Sequence, residues 1–440
     1  MNLRVKKFTC TTSLVASLAF IATGSTQAQQ AADSKALFDQ VSKRLDVGGQ
    51  LFGFVNVQGD YASLAAKAQE IYGQVIEMAD GEIPLPSDLN VEGILKELGF
   101  GNISALGMSS IKVGDAFRNK IFLGVKGEPE GLLRMIGGKP RPFKIANMAP
   151  EDASLAFEQP LRLDVLRDVV AKIATQLAPA IGGDPVGEGL KMPVPMTEMT
   201  LNELINKLSG DVLGYATLSK TQKLEIPGAP DGFEIPAIDF VVAHESGRWL
   251  FDLAEEFFTS NMPDMVEVTD VDGAKTLVIS LPPGANLGFY KPVLRVGKAG
   301  DRLVIASRSL ALDRMDEAKM HLADNASFKA VTKDLPKEGN SMSFLSEDFY
   351  KTFIDLYGKI LSMEGGPAEM ISMQKKFIEM AYGKPQAVAG VSVNYPDGIY
   401  LETVQPQSYK QTVAVLAVIP VGIGAAVMAP MMVRARMGGF

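Results

Sequence analysis

The chain has 440 residues, 47 % of them hydrophobic, and carries 43 Lys plus Arg against 51 Asp plus Glu for a formal net charge of −8. Its length exceeds one ordinary domain and its apolar fraction suffices for a large core, so disorder does not describe it as a whole. The acidic balance argues against nucleic-acid binding, in which phosphate contacts supply most of the affinity.

Residues 1–28 read as a secretory signal peptide. Arg4, Lys6 and Lys7 form a basic start, residues 8–24 an apolar stretch, and Ser25-Thr26-Gln27-Ala28 the small residues that suit cleavage after Ala28. Retention as an uncleaved first anchor is the alternative, and under either reading the body is exported. The one cysteine, Cys10, precedes the apolar stretch and is no lipoprotein attachment site. Cleavage therefore leaves no thiol, which excludes disulfides, cysteine-ligated zinc, iron–sulfur centres and thiol nucleophiles. It also leaves 40 basic residues against 51 acidic ones, a net charge of −11.

Three stretches then share one order: a short apolar strand followed by an amphipathic helix. They are 51–57 with 61–78, 154–157 with 161–177, and 341–345 with 348–363. In the first helix Leu64, Ala68, Ile71, Tyr72 and Val75 fall on one stripe, as do Phe349, Phe353, Leu356, Tyr357 and Ile360 in the third. Downstream of each comes a helix end, a glycine stop and a strand: 94–99 into 103–111, 204–210 into 212–218, and 377–383 into 387–393. A turn and one more strand close each unit, at 121–125, 238–242 and 399–404, with Tyr395-Pro396-Asp397-Gly398 a strong hairpin signal.

The expectation is an α+β fold of about three repeated strand-helix-strand-strand units with antiparallel-rich sheets, at 29–150, 151–338 and 339–406. The middle unit has an extra meander over 265–268, 275–280, 293–296 and 302–307, then a helix over 309–322. Residues 139–148 and 179–195, rich in Gly and Pro, are the expected joints.

Residues 412–433 contain no charge, and at about 1.5 Å per residue this stretch spans roughly 33 Å, enough for a hydrocarbon core of about 30 Å. It reads as a single C-terminal transmembrane helix. Arg434 and Arg436 make the C-terminal flank the more basic, which places the tail 434–440 in the cytoplasm and the body on the extracytoplasmic, periplasmic side.

An exported chain with loosely repeated units and connectors such as Gly300-Asp301-Arg302-Leu303-Val304-Ile305-Ala306-Ser307 resembles the domain-of-unknown-function repeat proteins of bacterial envelopes. That resemblance implies no catalytic residues. The apolar C-terminal run separately resembles pilin segments and sorting tails. It departs from pilins, whose segment is N-terminal and holds an acid, and Val404-Gln405-Pro406-Gln407 lacks the acidic element of the sorting tail.

Motifs for chemistry are sparse. His244 and His321 are the two histidines, too few for a multi-histidine metal site. His244-Glu245-Ser246-Gly247-Arg248-Trp249 gathers a base, an acid and a hydroxyl, but neighbours on one strand point to opposite faces, and the segment reads as a strand end and turn before a helix over 249–258. Asp270-Val271-Asp272-Gly273 lacks the later ligands of a calcium loop and reads as a hairpin turn. Glu255-Glu256 and Glu347-Asp348 are adjacent helical acids that do not face each other. Neither a nucleophile elbow nor a Walker or dinucleotide glycine motif is present.

No catalytic, cofactor-binding or metal-ligating residue is assigned. The 21 methionines include clusters at 192–199, 363–373 and 428–437, which suit either an adaptable apolar groove or ordinary packing. The functional expectation is a membrane-anchored, non-enzymatic envelope protein that binds a partner protein or an apolar ligand such as a lipid. The alternative is an envelope hydrolase using two carboxylates about 5–9 Å apart.

Overall fold

The computed structural model describes residues 27–79, 89–181, 183–195, 197–225, 234–280, 290–297, 301–363, 372, 376 and 383–412. The expected signal peptide apart from residues 27 and 28, the expected membrane helix apart from Thr412, the tail 434–440 and the helix end at 377–382 lie outside the described residues. Among the described residues no helix is long and apolar enough to cross a membrane.

The chain opens with α1 (Gln27–Ser42), β1 (Leu51–Asn56), α2 (Asp60–Ala79), α3 (Val91–Glu97), β2 (Ile103–Val113) and β3 (Ala116–Val125). Next come β4 (Arg141–Pro142), α4 (Ile145–Met148), β5 (Leu155–Leu161), α5 (Leu163–Ile181), α6 (Pro185–Leu190), α7 (Leu201–Leu208), β6 (Gly210–Glu225) and β7 (Glu234–His244). Then follow α8 (Arg248–Asn261), β8 (Val266–Val271), β9 (Ala274–Ile279), β10 (Val293–Val296), β11 (Leu303–Ala306), α9 (Ser309–Asp316) and α10 (Ala326–Thr332). The last elements are β12 (Glu338–Gly339), β13 (Ser341–Leu345), α11 (Glu347–Met363), β14 (Val388–Tyr395) and β15 (Gly398–Gln405).

Among the described residues thirteen strands form one sheet in the order β1-β2-β3-β15-β14-β13-β5-β6-β7-β11-β10-β9-β8, while β4 and β12 pair apart from it. Every pairing is antiparallel, so the fold is α+β around a large antiparallel sheet. Three runs of the sheet are built alike: β1-β2-β3, β5-β6-β7 and β13-β14-β15 each have a first strand, an intervening helical segment, and a second and third strand joined in a meander.

Tight hairpins set the registers. At β8–β9, Asp272 (φ 53°) and Gly273 (φ 76°) occupy the two left-handed positions of a two-residue turn. That is the backbone an Asp-Gly pair favours, so the segment with a superficial calcium-loop look is a hairpin.

Side chains alternate across a strand, so the registers sort them onto two faces. One face is covered by α1, α4, α9 and α10, and it holds the main core: Phe122, Tyr400, Val391, Phe344, Leu213 and Val241 among others. The stretch 29–50 carries no sequence-expected element, yet α1 runs there with Leu37 and Val41 buried, and Leu45 is buried just beyond its end. α1 lies so close to β2 that a Cβ on Gly107 would come within 2.3 Å of Val41 Cγ1. Only glycine fits that contact.

Two expectations give way to tertiary contacts. Residues 139–148, expected as a joint, contain α4 with Ile145 at 1 % exposure in the main core. The helix expected over 309–322 stops at Asp316, because His321 takes extended backbone that bridges Pro150 and the Leu322 N–H donates to Ala149 O at 2.9 Å.

Candidate functional site

The second face of the sheet is only partly covered. At one end α8 seals it, with Phe251 on Leu277, Leu294, Val296 and Leu303. Across the rest, Leu106, Met108, Ile121, Leu123, Phe157 and Leu401 share that face by register and are half-buried. Val55 and Phe240, on the same face, are 43 % and 41 % exposed.

The helices that leave the first strands carry further exposed apolar side chains. Among the described side chains of α2 only Ala65 is buried, while Leu64, Ile71, Val75 and Met78 are 36 %, 53 %, 36 % and 77 % exposed along one stripe. The principal partner of α2 is α3, whose seven residues span about 10 Å against about 30 Å for the twenty of α2. A helix that short cannot cover the stripe. α5 shows the same imbalance: Val165, Val169 and Ala174 are buried toward its helical neighbours, but Leu166 and Val170 are 41 % and 44 % exposed. α11 carries Phe353 at 43 % exposure. The apolar stripe that the sequence marks on α2 is thus present, and it faces outward.

α7 is set by its own sequence: the Thr200 hydroxyl accepts from the Glu203 N–H and the Glu203 carboxylate accepts from the Thr200 N–H, a capping box that satisfies two orphan donors. Beside it the His244 cluster is spent on structure. His244 Nε2 lies 2.8 Å from Leu208 O and its Nδ1 accepts from the Ser246 N–H at 3.2 Å, so both ring nitrogens are engaged. Glu245 pairs with Arg302 at 2.8 Å and Lys144 at 3.4 Å, and Lys207 Nζ lies 5.6 Å from the centre of the Trp249 ring. The segment is a strand end clamped to the last turn of α7.

One acid of each adjacent pair is likewise held by a lysine. Glu255 binds Lys275 Nζ and Glu347 binds Lys351 Nζ, each at 2.5 Å. Two deeper carboxylates, which sequence reasoning did not single out, anchor the covered face. Glu158, with 0 % exposure, accepts from the Lys144 and Ile145 N–H groups at 2.7 and 3.0 Å and sits 3.1 Å from Arg141, which also reaches Asp211 at 3.0 Å. Glu402 accepts from the Tyr400 hydroxyl at 2.7 Å and lies 3.7 Å from Arg118, which with Lys120 also holds Asp46. Among the described residues no group of three or more His, Cys, Asp or Glu could hold a metal ion. An open cavity of about 460 Å³ is lined by Glu151, Asp152, Arg314, Glu317 and Asn325, and there Arg314 pairs with Asp152.

Burial pushes the Glu402 carboxyl above its ordinary value of 4.5, against the pull of the Tyr400 hydrogen bond and of Lys120 and Arg118. The folded protein therefore holds this proton at pH values where the unfolded chain has lost it, and stability falls as pH rises above 4.5 through the folded value. Glu402→Gln is expected to flatten that part of the stability profile, measured by urea unfolding from pH 4 to pH 8; an unchanged slope would contradict the assignment. Asp164 behaves oppositely. Its hydrogen bond and ion pair with Arg162 hold it at about 2, so its contribution is lost only as pH falls from 3.8 toward 2.

Of the methionine clusters, Met192 is 64 % exposed, while most of 363–373 and all of 428–437 lie outside the described residues.

No family model matches the chain, and no curated protein matches it. Among solved structures, crystal form III of TP0453 matches with 8 % identity over 62 % of this chain and 98 % of that one, at a TM-score of 0.24. A likeness at that score carries no inference.

Proposed function

We propose that this is a membrane-anchored, extracytoplasmic, non-enzymatic protein of the cell envelope that binds an apolar segment of a partner protein. The binding surface is the partly covered sheet face together with the outward stripe of α2. The anchor is the uncharged run 412–433, and export depends on residues 1–28. The three like-built runs of the sheet are read as copies of one module, related to the repeat proteins of bacterial envelopes.

The observation that carries this reading is the α2 stripe, four large apolar side chains in a line with a seven-residue helix as the principal neighbour. Contiguous exposed apolar surface on this scale marks an interaction site more often than scattered exposed residues do. Glu158, Glu402, Glu255, Glu347 and Asp152 are each held by a cation, a hydroxyl or backbone donors, which favours the binding reading over a two-carboxylate hydrolase.

The test is Ile71→Asp in the full chain, expressed in its native envelope and purified with its bound material. Ile71 is 53 % exposed, so stability should change by no more than about 0.5 kcal/mol. Recovery of a co-purifying protein should fall about tenfold or more, the equivalent of about 1.4 kcal/mol at a central contact. Undiminished recovery would contradict the assignment, and loss of a lipid instead of a protein would redirect it to an apolar small ligand.

A further inference from the structure

The three like-built runs of the sheet meet by a rule. The first and third runs join through their last strands, β3 and β15, and the third and second join through their first strands, β13 and β5. Both joints are antiparallel pairings of like with like, so each has a local two-fold axis. At the far side of the second run the last strand β7 is taken by β11 of the meander. At the far side of the first run, the first strand β1 ends the sheet with no strand beside it among the described residues.

The two edges of the sheet differ in chemistry. β8 carries Glu267 and Asp270 among its six residues, the charged kind of edge that resists pairing with another sheet. β1, Leu-Phe-Gly-Phe-Val-Asn, carries no charge. Val57 N–H donates to Ser104 O at 3.0 Å in the register that pairs Val55 with Leu106 and Gly53 with Met108, so alternation turns the backbone groups of Phe52 and Phe54 outward. Apolar side chains flank that edge on both faces. Phe38 of α1 stacks edge-on to Phe52 and Phe54 at 5.9 and 5.4 Å and is itself 38 % exposed, and Val55 is 43 % exposed on the other side.

We propose that β1 is a homodimerisation edge: two copies of this chain pair β1 with β1 antiparallel about a two-fold axis at Gly53. Phe52 then faces Phe54 of the second copy under the two α1 helices, and Leu51 faces Val55 on the opposite side. This continues the first-strand-to-first-strand joint that β5 and β13 already make within one chain. Charge supports a second copy as the occupant: β1 sets no like charges opposite one another, whereas two β8 edges would bring acids together on a chain that is acidic overall. The inference is independent of the α2 docking surface.

The test uses the full chain in mild detergent. Gly53 becomes a non-hydrogen-bonded pair on the axis, with Cα atoms about 4.5 Å apart, within the range a disulfide spans. In a Cys10→Ser background Gly53→Cys should oxidise to a covalent dimer, while Val271→Cys on the β8 edge should not. Val55→Lys should halve the mass measured by light scattering, and Val271→Lys should leave it unchanged. A chain that is monomeric without substitution, or equal crosslinking from both edges, would overturn the proposal. Since a Cβ at Gly53 meets only the flexible Met108 side chain, 3.2 Å away, the cysteine variant stays informative even if Val55→Lys misfolds.

Discussion

Glu158→Ala is expected to destabilise the fold by about 3–5 kcal/mol, the scale for removing one partner of a buried, hydrogen-bonded ion pair. The side chain has 0 % exposure, and its carboxylate is the acceptor for two backbone N–H groups at the start of α4 as well as the counter-charge of Arg141. Alanine would leave those donors without an acceptor and Arg141 with Asp211 as its remaining counter-charge, and the buried donors add their own desolvation cost. Urea unfolding monitored by circular dichroism would measure it. A loss under about 1 kcal/mol would mean that water reaches the site and that α4 is not held as described. Because α4 places Ile145 in the main core, the loss should also raise amide exchange across 144–149 before global unfolding.

Phe344→Ala should cost a similar amount, about 3–5 kcal/mol. Phe344 is 1 % exposed, packs edge-on against Phe328 at 5.2 Å, and sits in β13, the strand that joins the third run of the sheet to the second. The cavity would open beneath the β13–β5 joint, which has only four paired positions. If that joint is the weaker one, the variant should unfold in two steps, with the β5–β11 half separating first. A single transition with unchanged steepness would show that the sheet still unfolds as one unit.

Local structure was largely legible in the sequence. The strand expected at 341–345 is β13 residue for residue, α2 and α11 begin within one residue of expectation, and the Asp272-Gly273 turn forms the expected hairpin. These features depend on side-chain period and turn chemistry, which act over a few residues. The order of strands was not legible, because β3 pairs with β15 across most of the chain length and no local signal encodes such a choice. α1 escaped because Leu37, Val41 and Leu45 keep a four-residue spacing with few other apolar residues to mark a stripe.

The site was legible in its residues and not in its direction. Leu64, Ile71 and Val75 were identifiable as one apolar stripe, but the same pattern serves a helix that packs on a sheet and one that awaits a partner. The length of α3 decides between them, and that emerges only when α3 is seen as the neighbour of α2. Glu158 gave no signal of its own, since one acid in Phe157-Glu158-Gln159-Pro160 reads as an ordinary outward residue. Its burial comes from α4, which folds back over β5 from an apparently loose connector.

The most direct measurement is site-specific photocrosslinking in the native envelope, with the photoreactive residue placed at Ile71 on the stripe and, for comparison, at exposed Glu77 off it. A discrete protein adduct from position 71 and none from position 77 is the predicted result. Equal labelling from both positions, or none from position 71, would contradict the claim that the outward face of α2 is a docking surface.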